Sequence, residues 1–324
     1  MARPVDVRVH LSPQDRRGAL VEDVVAGLTA EPKELPPKWF YDERGSELFG
    51  EITRLPEYYL TRRERAILAE RAHELARETR ADTLVELGSG TSEKTRFLLD
   101  AMTAAGFLRR FVAFDVSEET LRESAARLAE EHPGLDVTAV VGDFERHLGA
   151  LPPAGRRLVA FLGSSIGNFR PAERAAFLAA LRDVLSAGES LLLGVDLVKD
   201  EERLVAAYDD SAGVTAEFNR NLLLVLNREL GADFRPECFD HVARWDRANE
   251  WIELLLRSRI DQEVHVPAAG LTVRFRRGEE LRTEISAKFR PEGVREELRS
   301  AGFDLRRLWT DPRGDFALAL AGAV

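Results

Sequence analysis

Between residues 83 and 195, five short and nearly continuous apolar runs alternate with amphipathic stretches. Nothing else in the chain restricts its fold as much. The runs are Thr83-Leu84-Val85-Glu86-Leu87, Phe111-Val112-Ala113-Phe114-Asp115, Val137 to Val141, Leu158 to Leu162 and Leu191 to Val195. A strand that is apolar on both faces must be covered on both faces, and the joining segments can do the covering. Leu121, Ala125 and Leu128 recur at helical spacing, as do Phe177, Leu178, Leu181 and Leu185 ahead of a stop at Gly188. The pattern predicts an α/β fold with a parallel sheet between layers of helix.

The flanking segments follow other rules. Ser12-Pro13-Gln14-Asp15 is a helix start, with Leu20, Val21, Val24, Val25 and Leu28 on the helical repeat. Pro32 to Asp42 reads as ordered irregular chain. Thr61-Arg62-Arg63-Glu64 looks like a second capping box, opening a helix to about Thr79. The first helix of the alternating region is expected from about Ser92. After Lys199 the alternation ends. Helical segments carry Tyr208 and then Leu222 to Leu230, followed by strands at Val242 to Trp245, Trp251 to Arg257 and Leu271 to Phe275. The last has a period of two, which suits an antiparallel sheet with one wet face. From Pro291 come a helix and strands at Leu305 to Trp309 and Phe316 to Leu320. Two domains are therefore expected, 61–199 plus 288–324 and 1–60 plus 200–287, with a cleft between them.

Composition removes several classes of function. A formal net charge of −10 opposes a nucleic-acid backbone or an anionic membrane as partner. The single cysteine, Cys238, forms neither an intramolecular disulfide nor a cysteine metal cluster. The six histidines show no paired ligand spacing, so no metal is expected. No run approaches the roughly 18 apolar residues of a membrane span, and Met1 to Arg17 holds no continuous apolar segment. The expectation is a cytoplasmic enzyme; oligomeric state stays open, and a monomer is compatible with the sequence.

Val85-Glu86-Leu87-Gly88-Ser89-Gly90-Thr91 reads as strand, acid and glycine turn before a helix, an arrangement that lets backbone approach a ligand. A nucleoside triphosphate loop would need glycine where Glu93 stands in Gly88-Ser89-Gly90-Thr91-Ser92-Glu93-Lys94-Thr95. A dinucleotide turn wants its third glycine at the same place. S-adenosylmethionine (SAM) carries no phosphate and tolerates the acid, and Glu86 with Lys94 offers both signs of charge. Asp115, at the end of the second strand, suits ribose hydroxyls. Asp143 and Phe144 end the third, where a carboxylate can accept from the adenine amine while a ring covers the base. Acids at successive strand ends point to a Rossmann-like, seven-stranded class I methyltransferase core, which Phe316 to Leu320 helps close, with a second, inserted α+β substrate-binding domain.

The four tyrosines, Tyr41, Tyr58, Tyr59 and Tyr208, all fall outside the core segments and are candidates for lining the cleft. Gly163-Ser164-Ser165-Ile166-Gly167-Asn168 ends the fourth strand. There Asn168 either recognises an amino-acid head group or caps the helix that Pro171 begins.

Several blocks resemble the histidine Nα-methyltransferases of ergothioneine biosynthesis. They are Leu35 to Asp42, Ile52 to Tyr59, Val85 to Lys94, Phe161 to Asn168, Asp196 to Asp200 and Thr283 to Ser286. The resemblance runs from about residue 18 to the end; Ser165 departs from a common threonine but keeps the hydroxyl. It implies trimethylation of free L-histidine to hercynine, with the mono- and dimethylated forms as further substrates. It implies cofactor contacts from Gly88, Ser89, Gly90, Lys94, Asp115, Val116, Asp143 and Phe144. Asn168 and Tyr208 would hold the substrate carboxylate and Tyr41 would lie near the amine, so Tyr41 and Asn168 are the catalytic candidates. Tyr58, Glu284 and Ser286 would read the imidazole. Gly163 and Ile285 would complete the pocket, and Phe49 would join Tyr41 in stabilising the growing cation. Two alternatives stay open at this point: a methyltransferase of another small amine, and a non-catalytic nucleoside-binding module.

Overall fold

The computed structural model describes residues 4–152 and 155–324. They cluster into two compact units, one drawn from residues 4–11, 60–198 and 289–324, the other from 12–59 and 199–288.

The first unit is built on an eight-stranded sheet. Its order is Asp6–Val9, Asp136–Val141, Arg110–Asp115, Thr83–Leu87, Arg157–Phe161, Ser190–Asp196, Phe316–Ala323 and Phe303–Thr310. All neighbours pair in parallel except around Phe316–Ala323, which runs antiparallel to both of its partners. Every residue of Thr83–Leu87 is buried, as continuous apolar strands under two helical layers require. Thr83–Leu87 lies mid-sheet. The chain first winds outward on one side of it, then returns to start Arg157–Phe161 on the other. Such a switch point opens a crevice at the carboxyl ends of the strands.

Three features differ from the sequence expectation. The edge strand Asp6–Val9 adds an eighth member, so residues 4–11 cluster with the core rather than with the other unit. It is four residues long and mostly exposed, too little pattern to read. The helix at residue 60 runs Leu60–Thr79, which puts Thr61 inside it, and Glu64 faces inward instead of capping. The helix after the glycine turn begins only at Arg96, so Lys94 stands in the turn itself.

The second unit holds a four-stranded sheet ordered Lys33–Glu34, Glu280–Ala287, Trp251–Ser258 and Phe239–Asp246, with a separate hairpin of Gln262–Val266 and Leu271–Phe275. Its main helices are Pro13–Thr29, Glu43–Ile52 and Val214–Leu230. Ser12 and Asp15 form the expected capping box on the first of these. The register of Glu280–Ala287 against Trp251–Ser258 slips between Arg282 and Glu284. A bulge of this kind re-aims side chains, and here it immediately precedes Glu284, Ile285 and Ser286.

Candidate active site

In the first unit the glycine turn is set by backbone. Gly88 adopts φ +68°, a left-handed conformation that favours glycine, and its N–H donates to the Phe114 carbonyl at 2.8 Å. A Cβ at Gly88 would lie 3.8 Å from the Phe144 ring, so the missing side chain leaves open space over that ring. Asp115 is held by two amides, accepting from Gly90 N–H at 2.9 Å and Ser117 N–H at 3.0 Å. Val116, between them, is half-buried. Asp143 is buried and accepts from the Glu145 N–H at 2.9 Å. Phe144 packs edge-on against Phe161, Phe169 and Phe177. The first unit therefore brings Gly88, Ser89, Gly90, Lys94, Asp115, Val116, Asp143 and Phe144 to one end of one sheet, as the parallel register demands.

Behind the turn lies a polar centre that sequence reading missed. Glu64 is fully buried; one carboxylate oxygen accepts from Lys94 Nζ at 2.5 Å and the other from Gly163 N–H at 2.7 Å. A Cβ at Gly194 would collide with that carboxylate, so the glycine is the space Glu64 occupies. The signal was present in the sequence: Glu64 falls on the apolar stripe of Leu60, Ile67, Leu68 and Leu75, where a carboxylate needs a partner. The lysine that a phosphate loop would aim at its ligand is thus committed to a carboxylate, and Glu93 itself is exposed. Glu86 is also buried, and burial pushes its carboxyl up to about 7 against the Thr95 hydroxyl, which donates to it. Among the described residues, the Ser89 hydroxyl is buried without a hydrogen-bond partner. Such an atom in the glycine turn calls for a polar ligand. The turn fits SAM, whose ammonium and hydroxyls can supply that partner.

Gly163, at φ +76°, and Ser164, at φ +60°, turn the chain sharply into Ser165–Asn168. Asn168 is half-buried at the end of that turn. The helix Pro171–Val184 is capped instead at Arg170, whose N–H donates to Glu173. The capping role considered for Asn168 is therefore filled by another residue.

The second unit gathers the remaining candidates. Tyr41, Phe49 and Phe218 form one ring cluster, with centroids 5.6 to 6.1 Å apart. Tyr58 continues it, 6.1 Å from Phe49 and 6.2 Å from Tyr208. Tyr208 is buried, and its hydroxyl lies 2.8 Å from that of Ser286. Its carbonyl accepts from His241 Nε2–H at 2.8 Å, while His241 Nδ1 accepts from Asn219 at 2.9 Å. Burial holds the His241 ring below the usual histidine range, which keeps it neutral in that role. Asn219 in turn accepts from the Thr283 hydroxyl at 2.7 Å. Glu284 is half-buried and Ile285 buried on the strand Glu280–Ala287, and Glu284 and Ser286 share a face by the period of two. Phe218, His241, Asn219 and Lys288 were not anticipated. Their roles depend on elements far apart in the chain.

Residues 20–323 match a family described as histidine-specific, SAM-dependent methyltransferases. The chain belongs to that family. A histidine N-alpha-methyltransferase of Mycolicibacterium smegmatis is 59% identical over 312 residues, covering 96% of this chain and 97% of the relative. One of Mycobacterium tuberculosis is 58% identical over 317 residues, covering 98% and 99%. Ergothioneine biosynthesis protein 1 of Neurospora crassa is 36% identical over 205 residues, 62% of this chain and 23% of that protein. The reading of a class I, SAM-dependent methyltransferase core holds, extended by one edge strand. Among the described residues, this methyltransferase has no group of side chains able to hold a metal ion. Nor is any described helix long and apolar enough to cross a membrane.

Proposed function

We propose that this methyltransferase trimethylates the α-amino group of free L-histidine to hercynine, the first step of ergothioneine biosynthesis, in the cytoplasm. One observation carries this reading. Two relatives named histidine N-alpha-methyltransferase are 58–59% identical over nearly the whole chain, within a histidine-specific family. The Neurospora relative supports the pathway. The mono- and dimethylated histidines are the substrates of the second and third transfers.

SAM supplies a methyl group activated on a sulfonium. Asp115 would bind its ribose, Asp143 and Phe144 its adenine, and Gly88, Ser89, Gly90 and Lys94 its amino-acid end, with Val116 beside them. Asn168 and Tyr208 would hold the substrate carboxylate, and Gly163 would contact the substrate. Tyr58, Glu284 and Ser286 address the two ring nitrogens, and Ile285 packs beside the ring. Such positioning can lower a displacement barrier by roughly 7–11 kcal/mol in favourable cases. Tyr41 lies nearest the amine in this assignment and relays its proton. Tyr41 and Phe49 present ring faces to the cation that grows with each transfer, worth roughly 0.5–2 kcal/mol.

The test is one incubation of the pure protein with SAM and a mixture of free amino acids, read by mass spectrometry. Mass gains of one, two and three methyl groups on histidine alone are expected. Methylation of a different amine, or none, overturns the reading.

A further inference from the structure

Lys288 directly follows the strand Glu280–Ala287 and is buried. Its own N–H donates to the Glu250 carbonyl at 2.8 Å, which fixes the residue at the strand end. Its ammonium donates at 2.8 Å to the Tyr208 hydroxyl and at 2.8 Å to the Ser286 hydroxyl. Those two hydroxyls are themselves 2.8 Å apart. The three groups form a closed triangle.

The chemistry of the triangle is directional. An ammonium has donors and no acceptor. Both hydroxyl oxygens therefore accept from Lys288, and both hydroxyl hydrogens must point away from it. At most one hydrogen is used within the pair, given by one hydroxyl to the other. The hydroxyl that receives both bonds has its lone pairs filled, and the remaining hydrogen can go only to an acceptor. Without Lys288, the Tyr208 hydroxyl could turn and accept from an amine or a ring N–H instead. With it, and with Ser286 donating to Tyr208, the Tyr208 hydroxyl is left to donate, and a donor polarised by a cation binds an anion best.

We propose that Lys288 is a positioning residue that, with Ser286 giving its hydrogen to Tyr208, commits the Tyr208 hydroxyl to donating a hydrogen bond to the carboxylate of the substrate. It acts through these hydroxyls and selects amino acids over the corresponding amines. The inference rests on the assignment of Tyr208 to the carboxylate made above.

The experiment is calorimetry on the full chain with S-adenosylhomocysteine present, titrating L-histidine and, separately, histamine. Histamine keeps the ring and the amine and lacks the carboxylate. Wild-type protein prefers L-histidine. In Lys288→Met the L-histidine affinity falls about 30-fold, the scale of losing a hydrogen bond to a charged group, while histamine changes by less than about 3-fold. Lys288→Arg keeps the donors and recovers part of the preference. A loss shared equally by both ligands assigns Lys288 a merely structural role and overturns the proposal, as does no loss at all. Should Lys288→Met lack a cooperative melting transition, Lys288→Gln carries the same comparison. If wild-type protein itself shows no preference for L-histidine, the carboxylate assignment of Tyr208 fails. If that preference is present and survives in the variants, only the role of Lys288 fails.

Discussion

Asp115 in the first unit and Tyr208 in the second are both buried or half-buried polar side chains at a recognition position, yet they are held differently. Asp115 is oriented by the amides of Gly90 and Ser117, twenty-five and two residues away along the chain. Tyr208 is fixed by Lys288 and Ser286 at its hydroxyl and by His241 at its carbonyl, groups from two separate strand regions. Backbone amides donate whatever the side chains are, so the geometry of the glycine turn follows from the sheet and its turns. A side-chain network holds only while every member is present. The first unit is thus arranged to keep one ligand constant. In the second, selectivity can change through single substitutions.

The comparison can be broken most severely at Glu64, the side-chain network inside the backbone-dominated unit. Glu64→Ala strands Lys94 and the Gly163 amide, and breaking a buried ion pair costs about 3–5 kcal/mol. Urea unfolding should show a loss of that size, and calorimetry a matching fall in SAM affinity. Unchanged SAM binding would mean that the backbone shapes the turn unaided.

Glu86 offers a pH-dependent test. Its carboxyl is raised from 4.5 to about 7, chiefly by burial. Between those values the folded chain keeps a proton that the unfolded chain has released, so stability falls as pH rises through that window. Glu86→Gln removes the effect. It should gain roughly 2–3 kcal/mol over wild type at about pH 8 and nothing at about pH 4. A gain equal at both pH values would place the stabilisation elsewhere.

In the second unit Glu284→Ala should weaken L-histidine binding by roughly 10- to 100-fold, the range for losing a charge-assisted hydrogen bond, and leave SAM binding alone. Calorimetry with each ligand separates the two, and parallel losses would remove Glu284 from the imidazole site. The smallest effect belongs to Thr283→Val, which takes the hydroxyl from Asn219 and so loosens His241 behind Tyr208. Its expected cost is about 1 kcal/mol in urea unfolding, with a modest rise in the Michaelis constant for histidine. A large effect on SAM affinity would contradict the division between the units.

Most of the first unit was legible before any coordinates. The strand Thr83–Leu87 was read residue for residue and Arg110–Asp115 to within one residue, because continuous apolar runs between amphipathic helices admit few alternatives. Asp6–Val9 was missed because four half-polar residues at a sheet edge carry almost no periodic signal. Glu64 was read as part of a cap from its spacing to Thr61, and the helix began two residues too early for that. The strands Gln262–Val266 and Glu280–Ala287 escaped notice because charged residues interrupt their apolar positions. Their alternation makes sense only once the partner strands are known.

What the sequence determined by itself is the sheet, the glycine turn and the acids at successive strand ends, because each depends on residues within a few positions of one another. Local propensity and the burial of apolar side chains suffice to place them. What only the tertiary structure decided is who holds whom: Glu64 with Lys94, His241 with Tyr208, and Lys288 with both hydroxyls. Apart from Lys288 with Ser286, those partnerships join residues tens of positions apart, as many as eighty for Lys288 and Tyr208. A buried charge announces in the sequence that it needs a partner, but the fold chooses which one.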